Sequence, residues 1–276
     1  MDRVVGLLLD EDLRALRAAA RRRRRVARSA AMAAEALERG GRLVFLGAGT
    51  SGRLGVLEAA ECPPTFGIPP GRVRAVMAGG RGAVWRSVEG AEDDGEAGRR
   101  AAAALRPPDL LVGISASSVT PFVRGALAEA RANGVRSVLV TAATGRGLGG
   151  LATLVVPLAT GPEVLTGSTR LKAGSATKAV LNAITTAAMV RLGKVYENLM
   201  VDLAQTSAKL RDRAVRSVAA AGRVSEAAAR RLLAAADGEV KTAIVMARLD
   251  VTAEAARRRL ARARGHVRRA LGAARR

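Results

Sequence analysis

The sequence has one cysteine, one histidine and very few aromatic residues. Cys62 alone cannot form an intramolecular disulfide, and His266 alone excludes a histidine-rich zinc site and argues against a histidine-based triad. No charge-free apolar run reaches the roughly 18 residues of a transmembrane helix. We therefore predict a cytoplasmic protein with no metal site, whose chemistry relies on carboxylates, hydroxyls, lysines or backbone amides.

Acidic residues are also scarce: 24 Asp and Glu stand against 46 Lys and Arg, which gives a formal net charge of +22. Such a charge would suit a nucleic-acid partner. However, aromatic residues make up only 2% of the chain, too few to stack bases, and only residues 21–25 form a run of arginines. We predict a solvated basic surface with neither a nucleic-acid nor a membrane partner, and a DNA-associated role remains a minor alternative.

The 276 residues are 49% hydrophobic, enough to bury a substantial core. Short apolar runs predict buried strands at residues 42–46, 73–77, 110–114, 137–141 and 152–158, separated by alanine-rich helical stretches. This alternation predicts an α/β fold with a doubly wound, parallel, five-stranded sheet. Ligands of such sheets bind beyond the carboxyl ends of the strands, so the loops after the strands are where the site is expected.

Helical patterns flank this sheet. Residues 8–39 predict one or two helices with Asp10 as N-cap, and residues 171–192 predict a long apolar helix. Beyond residue 222 three or four short helices are expected, with Ser225 and Thr252 as N-caps. The predicted domains are an N-terminal helical segment (1–39), an α/β domain (40–215) and a small C-terminal helical bundle (222–276).

The first candidate loop, residues 47–53 (GAGTSGR), follows a strand and matches the G-x-G-x-x-G pattern of dinucleotide sites. That pattern also requires a carboxylate after the second strand, where the sequence reads MAGG. The loop therefore predicts an anion site, such as one for phosphate, made by Gly49, Thr50 and Ser51. The alternative is a tight turn without a ligand.

The second candidate loop follows the third predicted strand. Its hydroxyls at Ser115, Ser117, Ser118 and Thr120, with Pro121 suited to a first helical turn, predict another anion cradle. A single loop of this kind is more often a helix cap, but two on one sheet favour a binding site.

The third candidate loop, residues 161–172, joins the last strand to the long helix. Its side chains Glu163, Ser168, Thr169 and Lys172 could hold sugar hydroxyls. The alternative is a capping loop in which Ser168 or Thr169 caps the helix.

Two carboxylates near these loops are candidates for catalysis. Glu61 lies near the end of the helix that begins at the first loop, where the helix dipole disfavours a negative charge. Glu92 lies in an acidic stretch, residues 89–94, in which surface charges at a helix start are the ordinary explanation.

Together these motifs closely resemble the N-acetylmuramic acid 6-phosphate etherases, a family built on the sugar isomerase (SIS) domain. The resemblance runs from about residue 40 to the end and is carried by residues 40–67, which include ECPPTFG, and by 88–94 (VEGAEDD), 160–178, 191–203 and 238–246 (GEVKTAIVM).

The resemblance implies a carbon–oxygen lyase that acts on a sugar phosphate without metal or cofactor. It removes D-lactate from N-acetylmuramic acid 6-phosphate and leaves N-acetylglucosamine 6-phosphate, in cytoplasmic cell-wall recycling. By this resemblance Glu61 is the proton donor, and Glu92 is the second catalytic glutamate and the base. We expect the apolar Pro-Pro-Thr-Phe turn beside Glu61 to raise the pKa of its carboxyl by desolvation, as a proton donor requires. Ser51 and the second loop resemble the SIS phosphate grip, and SIS proteins typically form homodimers, for which the long helix offers an interface.

Some positions depart from the family pattern. In the second loop Ser118 replaces a glycine, Val119 an arginine and Phe122 a tyrosine. These changes motivate the main alternative, a non-catalytic SIS regulator that only binds sugar phosphates. An aldose–ketose isomerase on the same fold is a third and weaker alternative.

Overall fold

The computed structural model describes residues 1–205 and 207–272, so the end of the predicted bundle, residues 273–276, lies outside the described residues. Within that part of the chain, five parallel strands form one sheet in the order β2-β1-β3-β4-β5. These strands are β1 (Leu43–Gly47), β2 (Val73–Met77), β3 (Leu110–Ile114), β4 (Arg136–Thr141) and β5 (Leu154–Pro157). The predicted doubly wound α/β fold is confirmed, and each observed strand matches a predicted apolar run to within two residues at either end.

The chain divides into two compact units. The first comprises Met1–Ala60 and Pro70–Ala187, and the second comprises Glu61–Pro69 and Ala188–Arg276. The predicted domain boundaries near residues 40 and 215 remain predictions.

The first unit surrounds the sheet with helices. They are α1 (Asp2–Ala20), α2 (Arg23–Glu38), the first part of α3 (Gly49–Phe66), α4 (Gly95–Ala102), α5 (Pro121–Ala132) and most of α6 (Lys172–Arg191). One core cluster joins strand side chains such as Val44, Leu111 and Leu139 to Phe122 and Leu127 of α5. Because β1 and β3 are buried along their whole length, their side chains form near-continuous apolar runs.

Helices α4 and α5 pack in very close contact, and this contact fixes the position of the segment that precedes α4. A Cβ atom on Gly98 would lie 1.9 Å from the carbonyl oxygen of Phe122, and one on Gly125 would lie 2.0 Å from that of Gly95. Only glycine fits at such a crossing. The chain just before α4, which includes Glu92, is thereby held near the start of α5.

The helix starts differ from two predictions. Helix α1 begins at Asp2, so Asp10 lies inside the helix and is not an N-cap. Helix α6 begins at Lys172, and the carboxylate of Glu163 accepts its first N–H groups, so neither Ser168 nor Thr169 is the cap. The predicted caps Ser225 and Thr252 are confirmed, because each hydroxyl accepts a backbone N–H three residues on.

Among its described residues, the second unit consists mainly of helices and contains one short hairpin. It contains the hairpin β6 (Val195–Tyr196) and β7 (Leu199–Met200) and the helices α7 (Ala208–Gly222), α8 (Glu226–Ala235), α9 (Val240–Leu249), α10 (Ala253–Arg262) and α11 (Val267–Ala270). Helix α9 is central: Val240, Ile244 and Met246 are buried in a core shared with α7, α8 and α10. Among the described residues, no helix is both long and apolar enough to cross a membrane.

Candidate active site

The first loop is a tight turn between β1 and α3. A Cβ atom on Gly52 would lie 2.6 Å from the carbonyl oxygen of Gly47, so no larger residue fits there. Gly49 has a φ of 51°, and Thr50 and Ser51 are half-buried in the first turn of α3. The first N–H groups of a helix have no partner within the helix, which makes this turn suitable for an anion.

The second loop forms a network of its own hydroxyls after β3. Ser115 Oγ and Thr120 Oγ1 lie 2.8 Å apart, and Ser115 Oγ also accepts a hydrogen bond from the N–H of Ser118 at 3.0 Å. Ser117 Oγ is exposed and accepts the N–H of Val119 at 3.3 Å. The Thr120 side chain makes no capping bond to α5. The hydroxyls are therefore arranged by the loop itself and not by helix capping.

Glu92 and Gly49 line the same pocket, with a volume of about 270 Å³. Residues 87–93 also line this pocket, so Glu89 and Asp93 border it as well. The carbonyl oxygen of Glu92 accepts the N–H of Phe122 at 3.0 Å, and this bond ties the Glu92 segment to the end of the second loop. Glu92 and the Gly49 turn, which suits an anion, therefore border the same pocket.

Arg53 lines this pocket too, and it was not among the predicted site residues. Its Nε and Nη2 atoms donate to the carbonyl oxygens of Val84 and Ala83, at 2.8 and 2.9 Å. These bonds hold the chain that follows β2 against α3. A cation one turn into the helix after a glycine loop was the available sequence signal.

In the third loop, two of the predicted side chains bind groups of the chain itself. Glu163 accepts the N–H groups of Lys172 and Ala173 at 3.2 and 3.0 Å. Lys172 is only 4% exposed, and its Nζ atom lies 2.5 Å from Glu11 of α1. The hydrogen bond from Lys172 lowers the pKa of Glu11. Ser168 is half-buried and Thr169 exposed, and neither caps α6.

Glu61 lies in the second unit, on the last two turns of α3. Its side chain is exposed, so the Pro-Pro-Thr-Phe turn does not bury it as predicted. Among the described residues, no side chain forms a hydrogen bond or ion pair with Glu61. The neighbouring Cys62 is completely buried and Phe66 nearly so, which anchors the backbone of this segment.

Comparison with solved structures supports the fold. A putative phosphosugar isomerase involved in capsule formation from Bacteroides fragilis NCTC 9343 has a TM-score of 0.53 and 19% identity, covering 72% of this chain and 94% of that one. A phosphoheptose isomerase from Francisella tularensis has a TM-score of 0.53 and 17% identity, covering 68% and 96%. In addition, residues 25–131 match the glucokinase regulatory protein N-terminal SIS domain. These likenesses establish an SIS-type fold.

Relatives with much higher sequence identity establish the family. N-acetylmuramic acid 6-phosphate etherases of Yersinia pestis (strain Pestoides F) and Yersinia pseudotuberculosis serotype O:1b (strain IP 31758) are each 51% identical over 231 residues. The match covers 83% of this chain and 78% of each relative. The chain belongs to the N-acetylmuramic acid 6-phosphate etherase family. The predicted family is therefore confirmed, and an enzyme of the etherase kind is supported over the non-catalytic regulator.

Proposed function

We propose that this etherase family member cleaves the D-lactyl ether at carbon 3 of N-acetylmuramic acid 6-phosphate. The products are N-acetylglucosamine 6-phosphate and D-lactate. The observation that carries the proposal is the 51% identity to curated etherases over most of the chain. The pocket shared by Gly49 and Glu92 supports it independently, because it offers a carboxylate next to an anion-binding turn.

In the proposed mechanism, the sugar ring first opens to its aldehyde, which makes the proton on carbon 2 acidic. Glu92 takes that proton as general base, the bond between carbon 3 and the lactyl oxygen breaks, and Glu61 gives a proton to the departing lactate. Water then adds across the unsaturated aldehyde and restores the hydroxyl on carbon 3. The two glutamates must hold opposite protonation states at the start of this sequence.

The phosphate is held, in this proposal, by the two hydroxyl loops. Thr50 and Ser51 present hydroxyls at the positive end of α3, and Ser115, Ser117 and Thr120 present hydroxyls at the end of β3. Ser118 completes the second loop through its backbone N–H bond to Ser115. We propose that the third loop shapes the far side of the sugar site through Glu163, Ser168, Thr169 and Lys172. Glu163 and Lys172 do so by fixing the start of α6.

The proposal is tested by incubating the protein with N-acetylmuramic acid 6-phosphate and measuring D-lactate. We expect release by the wild type and none by Glu61→Gln or Glu92→Gln. The matched control is Glu96→Gln, which alters an exposed carboxylate of α4 that pairs with Arg99 and should keep wild-type turnover. A thermal shift with N-acetylglucosamine 6-phosphate but no D-lactate would instead identify a sugar-phosphate sensor and refute the proposal.

We also propose that the enzyme works in the cytoplasm as a homodimer. Helix α6 exposes Val190, and α1 exposes Val4, Leu9 and Leu13, which are large apolar side chains of the kind buried at subunit interfaces. Light scattering should give twice the chain mass of 28.5 kDa. A monomer mass at all micromolar concentrations would contradict the dimer.

A further inference from the structure

Asp202 lies in residues 191–203 and contacts parts of two other segments that carry the family resemblance, residues 61–67 and 238–246; these parts all belong to the second unit. Its carboxylate lies 2.6 Å from Nζ of Lys241 and 2.9 Å from Nζ of Lys194. The Asp202 and Lys241 side chains are only 22% and 12% exposed, and burial lowers the pKa of Lys241 against the attraction of Asp202. A carboxylate that is paired with two partly buried ammonium groups is held in place, because its displacement would break both ion pairs.

The backbone at Asp202 also contacts the segment that carries Glu61. A Cβ atom on Gly67, whose φ is 59°, would lie 2.2 Å from the carbonyl oxygen of Asp202. Two residues on, the N–H of Ala204 donates to the carbonyl oxygen of Pro64 at 3.3 Å. Residues 202–204 therefore form the support on which residues 64–67 rest.

Glu61 depends on this support because its own side chain is not held in place. The side chain is exposed and has no hydrogen-bond or ion-pair partner in the described ranges 1–205 and 207–272. The position of its carboxylate is consequently set by the backbone of residues 61–67. Contacts that hold this backbone in place therefore also determine the point at which Glu61 can deliver a proton.

We propose that Asp202 is a positioning residue for Glu61: its pairing with Lys194 and Lys241 holds residues 202–204 in place beneath the Glu61 segment. This inference rests on the proposed function, in which Glu61 is the proton donor. In this proposal Asp202 acts through the backbone of residues 202–204 and not by contact with the substrate. Its removal should therefore slow the chemical step and leave the binding of the sugar phosphate nearly unchanged, since the groups assigned to phosphate binding belong to the first unit.

The first test is the steady-state kinetics of Asp202→Asn with N-acetylmuramic acid 6-phosphate. We expect kcat to fall by about 10- to 100-fold, the effect of a displacement of the order of 1 Å, with KM within about twofold of wild type. Asp202→Glu keeps the charge and should recover a large part of kcat. The matched control is Asp212→Asn, which breaks an exposed ion pair with Arg216 and should leave both constants unchanged.

The second test does not require activity. Cys62, the only cysteine, directly follows Glu61 and is completely buried, so its reaction with a thiol reagent reports on the packing of this segment. We expect Asp202→Asn to react at least about tenfold faster than wild type or Asp212→Asn in native buffer. Urea unfolding measured in parallel shows whether the variant is still folded. If Asp202→Asn does not fold, Asp202→Glu and Lys194→Met, each less disruptive, are compared in the same assays.

The outcomes separate the two proposals. A wild type that releases no D-lactate refutes the proposed function, and the labelling of Cys62 still tests the positioning. A folded Asp202→Asn with kcat within twofold of wild type and unchanged labelling would overturn the role of Asp202. So would a loss of activity that arises from KM alone.

Discussion

The carboxylate of Glu163 caps the helix that begins at Lys172. It accepts the first two N–H groups of α6, from residue 172 at 3.2 Å and from Ala173 at 3.0 Å. A negative charge at this end of a helix also interacts favourably with the helix dipole. The third loop is therefore fixed to the helix by a cap that lies nine residues earlier in the chain.

Glu163→Ala should destabilise the protein by about 1–2 kcal/mol, because two helix N–H groups lose their acceptor and the dipole loses its counter-charge. Urea unfolding followed by circular dichroism measures this change. Glu96→Ala removes an exposed carboxylate and should change stability by less than about 0.5 kcal/mol. Equal stability of Glu163→Ala and wild type would show that the cap is not formed in solution.

The ion pair between Glu11 and Lys172 predicts a specific dependence of stability on pH. The hydrogen bond from Lys172 places the pKa of Glu11 below its ordinary value in the folded state. The stabilisation is therefore complete above the pKa of the unfolded chain and is lost as the pH falls through the lowered folded value.

Glu11→Gln removes this stabilisation at every pH, and it leaves the nearly buried Lys172 without a counter-charge. We expect its Tm to lie below that of the wild type at pH 7, and the gap to shrink as the pH is lowered towards 3. Thermal unfolding in a series of buffers tests this. A gap that stays constant with pH would contradict the assigned pair.

The features of this structure that the sequence alone predicts are those whose interacting residues lie close together along the chain. The strands of the sheet and the caps at Ser225 and Thr252 were predictable, because apolar runs and N-cap residues act within a few positions. The cap at Glu163 was not, since local patterns point to Ser168 or Thr169. The start of α1 was also missed, because Asp10 resembles a cap although the apolar spacing continues before it.

The candidate site shows the same division. The residues of the hydroxyl loops were predicted from their order after strands, and the resemblance supplied the roles of Glu61 and Glu92; both assignments remain predictions. The sequence shows Arg53 as a cation one turn into α3, but its bonds to the carbonyl groups after β2 cross about 30 positions, so the sequence does not show which groups it binds. The pairing of Asp202 with Lys241 is non-local in the same way.

Ser118 has a φ of 65°, a left-handed conformation that disfavours residues with a Cβ atom. Ser118→Gly should be between zero and about 1 kcal/mol more stable than wild type, since relief of strain is partly offset by the greater freedom of the unfolded chain. Ser118→Ala keeps the strain and serves as the control. A Ser118→Gly variant less stable than Ser118→Ala would contradict the assigned strain.

The most direct test of the central claim, that Glu92 is the base and Glu61 the proton donor, is hydrogen exchange at carbon 2. N-acetylmuramic acid 6-phosphate is incubated in D₂O with each variant, and the carbon 2 proton and free lactate are followed by NMR. We predict that Glu61→Gln exchanges the carbon 2 proton without releasing lactate and that Glu92→Gln does neither. Exchange by Glu92→Gln at the wild-type rate, or lactate release by Glu61→Gln at the wild-type rate, would contradict the account.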